Sequence, residues 1–172
     1  MAILEILKYP NPYLTEDNTK QVNPEIPDSV KELVSSMKET MEESKGKGLA
    51  ATQVGKDLDI IIVTRATYTS TDVIAMINTE IIDKSVTLRD CQEGCLSIPG
   101  VFGFVKRHEW VKVKYLDEIG KEHTTTATGA FATIVQHEID HLKGVLFIDR
   151  MSKKEYKRID KLLKKLGRFY GE

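Results

Sequence analysis

The chain has 172 residues, 41% of them hydrophobic and 30% charged, and its formal net charge at pH 7 is −1. This length suits one domain with a sizeable core, so we expect a single domain over 1–172. The near-neutral charge excludes a protein that binds polyanions through its overall charge, and no apolar run is long enough to span a bilayer.

The first half of the chain predicts one helix and several strands. Residues 9–27 hold four of the five prolines, so we expect an irregular segment there. Apolar residues at helical spacing predict an amphipathic helix over 29–44, opened by a capping box of Ser29 and Glu32. Beyond a glycine-bearing loop, β-branched runs predict strands over 59–64, 75–82 and 85–88, with a polar loop over 67–71.

The second half predicts a hairpin followed by two helices. Apolar and basic residues alternate over 110–115, which is the period of a half-exposed strand, and 121–128 is expected to return beside it. Helical spacing predicts a helix over 130–141 and a last helix over 152–168. Residues 153–168 hold eight Lys or Arg against two acidic residues, so the basic charge of the chain is concentrated in this C-terminal helix.

Residues 137–141 read His-Glu-Ile-Asp-His, a pattern typical of metal-dependent hydrolases. On a helix, residues four apart lie on one face, so the imidazoles of His137 and His141 can bind one metal ion. Glu138 can then act as general base toward water at that metal. These elements predict an α+β fold: mostly antiparallel sheets around a central metal-ligand helix, with an N-terminal helix and a C-terminal helix.

A catalytic metal usually has three protein ligands and one position open to water, so a third ligand is expected. A downstream histidine of the metzincin type is absent, because Phe147 occupies that position. Glu155 would be the counterpart of the later glutamate in thermolysin-like proteases, but it lies among lysines. Cys95 is the remaining possibility. The N-terminal residues lack the apolar run of a signal peptide, so we expect a cytoplasmic protein with reduced thiols.

Three sequence blocks together resemble peptide deformylase. They read Gly-Lys-Gly-Leu-Ala-Ala-Thr-Gln over 46–53, Glu-Gly-Cys-Leu-Ser over 93–97, and Gln-His-Glu-Ile-Asp-His over 136–141. The blocks occur in the order and at the separations seen in that family, and matching segments extend from near the N-terminus to about Arg150.

The resemblance implies that Cys95, His137 and His141 bind one divalent metal. Fe(II) is the family's usual ion, and Zn(II) or Ni(II) is also accepted. It also implies a catalytic domain that removes the formyl group from the N-formyl-methionyl end of nascent polypeptides and releases formate. Glu138 would take a proton from the attacking water and pass it to the leaving amine.

The resemblance also assigns the groups that contact the substrate. The Gln53 side chain and the backbone N–H of Leu96 would donate to the oxyanion. The glycines of the first block, Gly46 and Gly48, would let the loop backbone approach an extended peptide. The methionine side chain would enter a pocket lined by three residues of the central helix: Ala130, Thr133 and Ile134.

Several residues depart from the family pattern. Thr133 and Ala130 are smaller or more polar than the aliphatic residues of many relatives, which predicts a roomier and slightly more polar methionine pocket. Lys47 replaces an aliphatic residue, and Phe102 stands where arginine is frequent. Both departures predict altered contacts with the downstream part of the substrate.

Other readings of the same residues remain. Glu93 is expected to be a structural carboxylate, paired with Arg107, rather than a catalytic group. Cys91 is expected to be structural too, but a zinc-finger-like module would use it together with Cys95 and the two histidines. A metallo-endopeptidase and an inactive metal-binding relative are further alternatives.

The basic C-terminal helix over 152–168 permits two interpretations. It is either a solvated face or, as in some relatives, a surface that docks on the ribosome near the exit tunnel. We expect a monomer with no membrane contact.

Overall fold

The computed structural model describes residues 2–66 and 69–171, so the predicted loop over 67–71 lies partly outside the described residues. The helices are α1 (Asp28–Glu43), α2 (Gly129–Leu142) and α3 (Lys153–Tyr170). The strands are β1 (Gly48–Ala50), β2 (Ile60–Ala66), β3 (Thr71–Lys84), β4 (Leu88–Cys95), β5 (Ile98–His108), β6 (Trp110–Leu116) and β7 (Glu122–Thr128). Short 3-10 helices lie at Pro12–Thr15, Ala51–Val54 and Phe147–Arg150.

The strands form two antiparallel sheets. A five-stranded sheet has the order β1-β2-β3-β6-β7, and β4 and β5 form a separate two-stranded sheet. β1 lies at the edge of the larger sheet, where Gly48 pairs with Val63 of β2. α2 contacts strands of both sheets. The predicted α+β fold with a central helix is therefore confirmed.

The C-terminal half of α2 is buried from Val135 to Leu142. Its apolar side chains, such as Ile139, pack in one core cluster with β2 and β6. Polar side chains in the same stretch are buried as well, and burying such groups is costly unless each has a partner. This half of α2 therefore buries polar side chains at positions where apolar side chains usually form the core.

The differences from the sequence prediction lie mainly in the smaller sheet. The predicted strand over 85–88 was misplaced, because β4 begins only at Leu88, and β5 was not predicted at all. The buried positions of β4 include Cys91 and Glu93. Because Glu93 is charged, the sequence lacks the alternation of apolar and polar residues by which strands are predicted. The capping box was also wrong, because α1 begins at Asp28 with Pro27 at its N-cap.

The C-terminal helix forms where it was predicted. The Ser152 side chain accepts a hydrogen bond of 3.2 Å from the backbone N–H of Glu155, which is N-capping geometry. Ile159 and Leu163 are buried against the core, whereas most of the basic residues face outward. Within the part of the chain that the structure describes, no helix is long and apolar enough to cross a membrane.

Candidate metal centre

The site forms where one face of strand β4 packs against one face of helix α2. Alternate residues of β4 point the same way, and every fourth residue of α2 lies on one stripe. Arg89 and Cys91 contact Thr133, Glu93 contacts His137, and Cys95 contacts His141. We call this set the β4–α2 ladder; it comprises Arg89, Cys91, Glu93 and Cys95 on the strand and Gly129, Thr133, His137 and His141 on the helix.

Three possible metal ligands meet at one end of the ladder. The sulfur of Cys95 lies 3.2 Å from Nε2 of His141, and this nitrogen lies 3.2 Å from Nε2 of His137. All three ligand atoms lie within 4.8 Å of one another. The structure thus brings together the three residues that the sequence predicted. Cys91 points instead toward Thr133, at 3.4 Å, so the described residues do not form a four-ligand finger.

The two histidines of this cluster have opposite pKa shifts. Burial lowers the pKa of His137, but hydrogen bonds with Cys95 and Glu93 outweigh it and raise the pKa well above the usual value. Burial and the neighbouring His137 charge lower the pKa of His141 well below its usual value. His141 therefore offers a neutral imidazole, and a cation held by these residues would compete with the proton on His137.

A buried ion-pair network holds the ligands from behind. Nδ1 of His137 lies 2.7 Å from Glu93, whose two oxygens accept hydrogen bonds of 2.7 and 2.9 Å from Arg107. Arg107 also donates to Asp140 at 2.6 Å, and Asp140 accepts two more hydrogen bonds from Arg150. Burial would raise the pKa of Glu93, but its hydrogen bonds with Arg107 and His137 lower it below the usual value. The expected pairing of Glu93 with Arg107 is confirmed.

Glu138 is buried, yet it is not held by this network. Its Oε2 atom has no hydrogen-bond partner among the described residues. Burial raises the pKa of its carboxyl from 4.5 to about 7. A Cβ atom on Gly48 would lie 2.8 Å from Cδ of Glu138, so the glycine leaves the space that this carboxyl occupies. A buried carboxyl with a pKa near neutrality and a free oxygen suits proton transfer.

Gln53 lies beside the cysteine in the 3-10 helix at Ala51–Val54. Its Oε1 accepts a hydrogen bond of 2.9 Å from the backbone N–H of Ala50, which fixes the orientation of the amide. Its Nε2 then donates to Ser97 at 3.1 Å and lies 3.6 Å from the sulfur of Cys95. Leu96 follows Cys95 in the turn between β4 and β5. The amide N–H groups of Gln53 are therefore presented toward the cluster.

A cavity of about 620 Å³ opens onto the cluster. Of the predicted substrate-binding residues, four line it: Gly46, Gly48, Thr133 and Ile134. Ala130 does not; it is exposed in the first turn of α2, outside the cavity lining. Lys47 and Phe102, two of the four departures from the family pattern, also line the cavity.

Several residues at the site were not predicted from the sequence. Lys8 lines the cavity, and its Nζ donates to the carbonyl of Leu96 at 2.9 Å. Asp140 and Arg150 complete the ion-pair network. A carboxylate within a buried helix needs a partner, so Asp140 could have been flagged, but nothing in the sequence identified Arg107 and Arg150 as its partners.

Comparisons with known proteins agree with one another. A sequence model described as polypeptide deformylase matches residues 3–157. The chain is 42% identical over 168 residues to a peptide deformylase of Alkalilimnicola ehrlichii, covering 98% of this chain and 93% of that protein. It is 41% identical over 165 residues to one from Neisseria gonorrhoeae, covering 96% of each.

Solved structures give the same result. The structure of Arabidopsis thaliana peptide deformylase 1B in complex with an inhibitor superposes with a TM-score of 0.90 at 34% identity, covering 97% of this chain and 92% of that chain. The structure of Ehrlichia chaffeensis peptide deformylase in complex with actinonin superposes with a TM-score of 0.87 at 35% identity, covering 98% of each chain.

Proposed function

Because the chain belongs to the peptide deformylase family, we propose that Cys95, His137 and His141 are the metal ligands of a deformylase active site. Enzymes of this family are metal-dependent hydrolases that remove the N-formyl group from the formyl-methionine end of nascent polypeptides and release formate, and this is the activity of the chain. The observation that carries the residue assignment is the meeting of three ligand atoms at one end of the β4–α2 ladder.

The spacing of these atoms would allow one ion to contact all three. Metal–ligand bonds of about 2.0–2.3 Å require ligand atoms roughly 3–4 Å apart. The distances found are 3.2 Å between His137 and His141 and 3.2 Å between His141 and Cys95. One thiolate and two imidazoles form a fairly soft donor set, which supports Fe(II) as the ion, with Zn(II) or Ni(II) as alternatives.

The remaining residues supply proton transfer and charge stabilisation. When bound, the metal polarises water and the formyl group. Glu138, with its free oxygen, takes the proton from the attacking water and delivers it to the leaving amine. The oxyanion accepts hydrogen bonds from Nε2 of Gln53 and from the backbone N–H of Leu96. Both donors lie beside Cys95 in the chain or in space.

The peptide lies along β1. This strand is at the edge of the larger sheet, and an extended chain can add to an exposed edge through backbone hydrogen bonds. Gly46 and Gly48 line the cavity there. The first side chain of the substrate enters between β4 and α2, where Thr133 and Ile134 form part of the wall.

The test is formate release from a formyl-methionyl tripeptide by anaerobically prepared, iron-loaded protein. Glu138→Gln is expected to lower kcat by about 10²–10⁴, the usual contribution of general acid–base catalysis, and to leave the metal content unchanged. A metallo-endopeptidase would instead cut unformylated peptides internally. Such cleavage without formate release would overturn the assignment.

Metal content tests the ligands separately. Cys95→Ser is expected to reduce the bound iron or zinc per chain, because it replaces a thiolate ligand. Cys91→Ser is the matched control and is expected to leave metal content unchanged, since Cys91 contacts Thr133 rather than the histidines. Equal loss of metal in both variants would favour the zinc-finger alternative.

Partners beyond the substrate are also proposed. We infer that the protein is a cytoplasmic monomer. We also propose that its basic helix α3 docks on ribosomal RNA, because Lys154, Lys157 and Lys161 are exposed on this helix. Replacing these three residues with glutamate is expected to abolish a salt-sensitive cosedimentation with ribosomes and to leave tripeptide deformylation intact. Unchanged cosedimentation would contradict the docking proposal.

A further inference from the structure

The end of the β4–α2 ladder away from the metal ligands contains an arginine that reaches across to α2. Nη2 of Arg89 donates to the hydroxyl oxygen of Thr133 at 2.6 Å and also to the backbone carbonyl of Gly129. Nε of Arg89 is buried and has no hydrogen-bond partner among the described residues. A permanently charged donor therefore lies directly behind the Thr133 hydroxyl.

The arginine determines what Thr133 can offer to a ligand. Its short hydrogen bond occupies the hydroxyl oxygen as an acceptor, so the hydroxyl proton remains to be donated. Two neighbours could take that proton, the carbonyl of Gly129 and the sulfur of Cys91, each at 3.4 Å. The contact with the Gly129 carbonyl is longer than the usual 2.7–2.8 Å of a good O–H···O hydrogen bond, and sulfur is a weak acceptor, so neither neighbour holds the proton strongly. A stronger acceptor that enters the cavity would capture the proton.

Thr133 lies at the right place to meet the first side chain of the substrate. It lines the cavity together with Ile134, His137 and Glu138. One helical turn separates it from the ligand His137, which is about 6 Å along the helix axis. Under the proposed function, a first side chain that runs from the metal ligands along α2 toward its N-terminus would bring its third or fourth atom close to Thr133. In methionine these atoms are the sulfur and the terminal methyl group.

We propose that Thr133, held as a donor by Arg89, makes this pocket accept first residues with a hydrogen-bond acceptor at the position of the methionine sulfur. The enzyme then also deformylates peptides that begin with formyl-methionine sulfoxide. The proposal rests on the proposed function of the site and adds a second substrate class to it. Thr133 contacts the substrate, whereas Arg89 acts through Thr133 and is a positioning residue.

The chemistry favours the oxidised side chain for a simple reason. A sulfoxide oxygen is a strong acceptor, and placing it in an apolar pocket without a partner costs free energy. A donor at that depth removes the cost. One hydrogen bond to a neutral group contributes roughly 0.5–1.5 kcal/mol, which corresponds to a factor of up to about ten in kcat/KM.

The experiment compares three tripeptides that differ only in the first residue: formyl-methionine, formyl-methionine sulfoxide and formyl-norleucine. Norleucine has the shape of methionine without the sulfur. The quantity measured is the ratio of kcat/KM for the sulfoxide to kcat/KM for norleucine, within one enzyme preparation. A partly folded or partly metal-loaded variant changes both values equally, so the ratio reports the pocket alone.

Thr133→Val removes the hydroxyl and keeps the shape, and it is expected to lower the ratio by a factor of about two to ten, mainly through KM for the sulfoxide. Arg89→Met is expected to lower the ratio severalfold, and Arg89→Lys to restore part of it, because lysine can still donate to Thr133. Arg65→Met, at an arginine of β2 paired with Asp72, is the matched control and is expected to leave the ratio unchanged.

The outcomes separate the two proposals. Formate release from formyl-methionine with no effect of Thr133→Val or Arg89→Met on the ratio would overturn the pocket proposal and leave the proposed function intact. Wild-type enzyme that processes norleucine but not the sulfoxide would overturn it too. No formate from any of the three peptides would overturn both.

Discussion

The two ends of the β4–α2 ladder have the same construction and opposite surroundings. At the metal end, Glu93 and Cys95 face His137 and His141, and an arginine and an aspartate lie behind them in the core. At the pocket end, Arg89 and Cys91 face Thr133 on the half-exposed first turns of α2. The same strand and helix therefore form a buried site at one end and a half-exposed site at the other.

The difference shows that the reacting groups and the groups that contact the first side chain of the substrate lie at opposite ends of the β4–α2 ladder. At the metal end Glu93, Arg107 and Asp140 form a buried ion-pair network, so a substitution within that network leaves a charge without its partner. At the pocket end solvent is near, and a replaced side chain costs less. Residues that position the reacting groups are thus expected to tolerate little change, whereas those that contact the first side chain can vary.

The largest effect is expected from removing the central cation at the metal end. Arg107→Met leaves Glu93 and Asp140 buried with one partner fewer, and breaking a buried ion pair in this way costs about 3–5 kcal/mol. We expect a loss of this size in the free energy of unfolding, measured with urea. We also expect loss of bound metal, because Glu93, which contacts His137, loses the arginine that holds it.

The neighbouring residue on β5 provides a matched control. Lys106 pairs with Asp90 at 3.0 Å, but about two thirds of each side chain is exposed. Lys106→Met is expected to cost at most about 1 kcal/mol, as is usual for an exposed ion pair. Similar losses in the two variants would contradict the contrast between a buried network and the surface.

A slightly smaller effect is expected at the oxyanion donor. Gln53→Ala removes the amide that lies beside Cys95, and loss of one such donor typically lowers kcat by about 10²–10³. Metal content is expected to stay unchanged. Ser97→Ala, which removes only a partner of Gln53, should reduce kcat far less. An unchanged kcat in Gln53→Ala would show that the amide serves only to orient the turn.

The sequence predicted the helix of the ladder far better than the strand. Helical spacing and the His-Glu-Ile-Asp-His pattern together located α2 to within a residue at each end. β4 was missed, because its buried face carries arginine, cysteine and glutamate instead of apolar residues. Such a strand is recognisable only when the helix stripe that it faces is known.

The sequence likewise predicted the metal ligands better than the residues that hold them. The order of the three blocks identified Cys95 as the partner of the two histidines, although about forty residues separate them, and the ligand atoms do meet. The network behind them was only partly foreseen. The partners of Asp140 come from β5 and from the 3-10 helix before α3, and no local pattern links those segments.

The smallest effect is expected at a residue that the family resemblance placed in the methionine pocket. Ala130 lies three residues before Thr133 on α2, but it is exposed and does not line the cavity. Ala130→Leu is therefore expected to change kcat/KM for formyl-methionyl and formyl-norleucyl peptides by less than twofold. The free energy of unfolding should change by less than about 0.5 kcal/mol, as is usual for a surface position. A clear shift in side-chain preference would mean that the pocket extends past Arg89 to the first turn of α2. The pocket end of the ladder would then be longer than the Arg89–Thr133 contact implies.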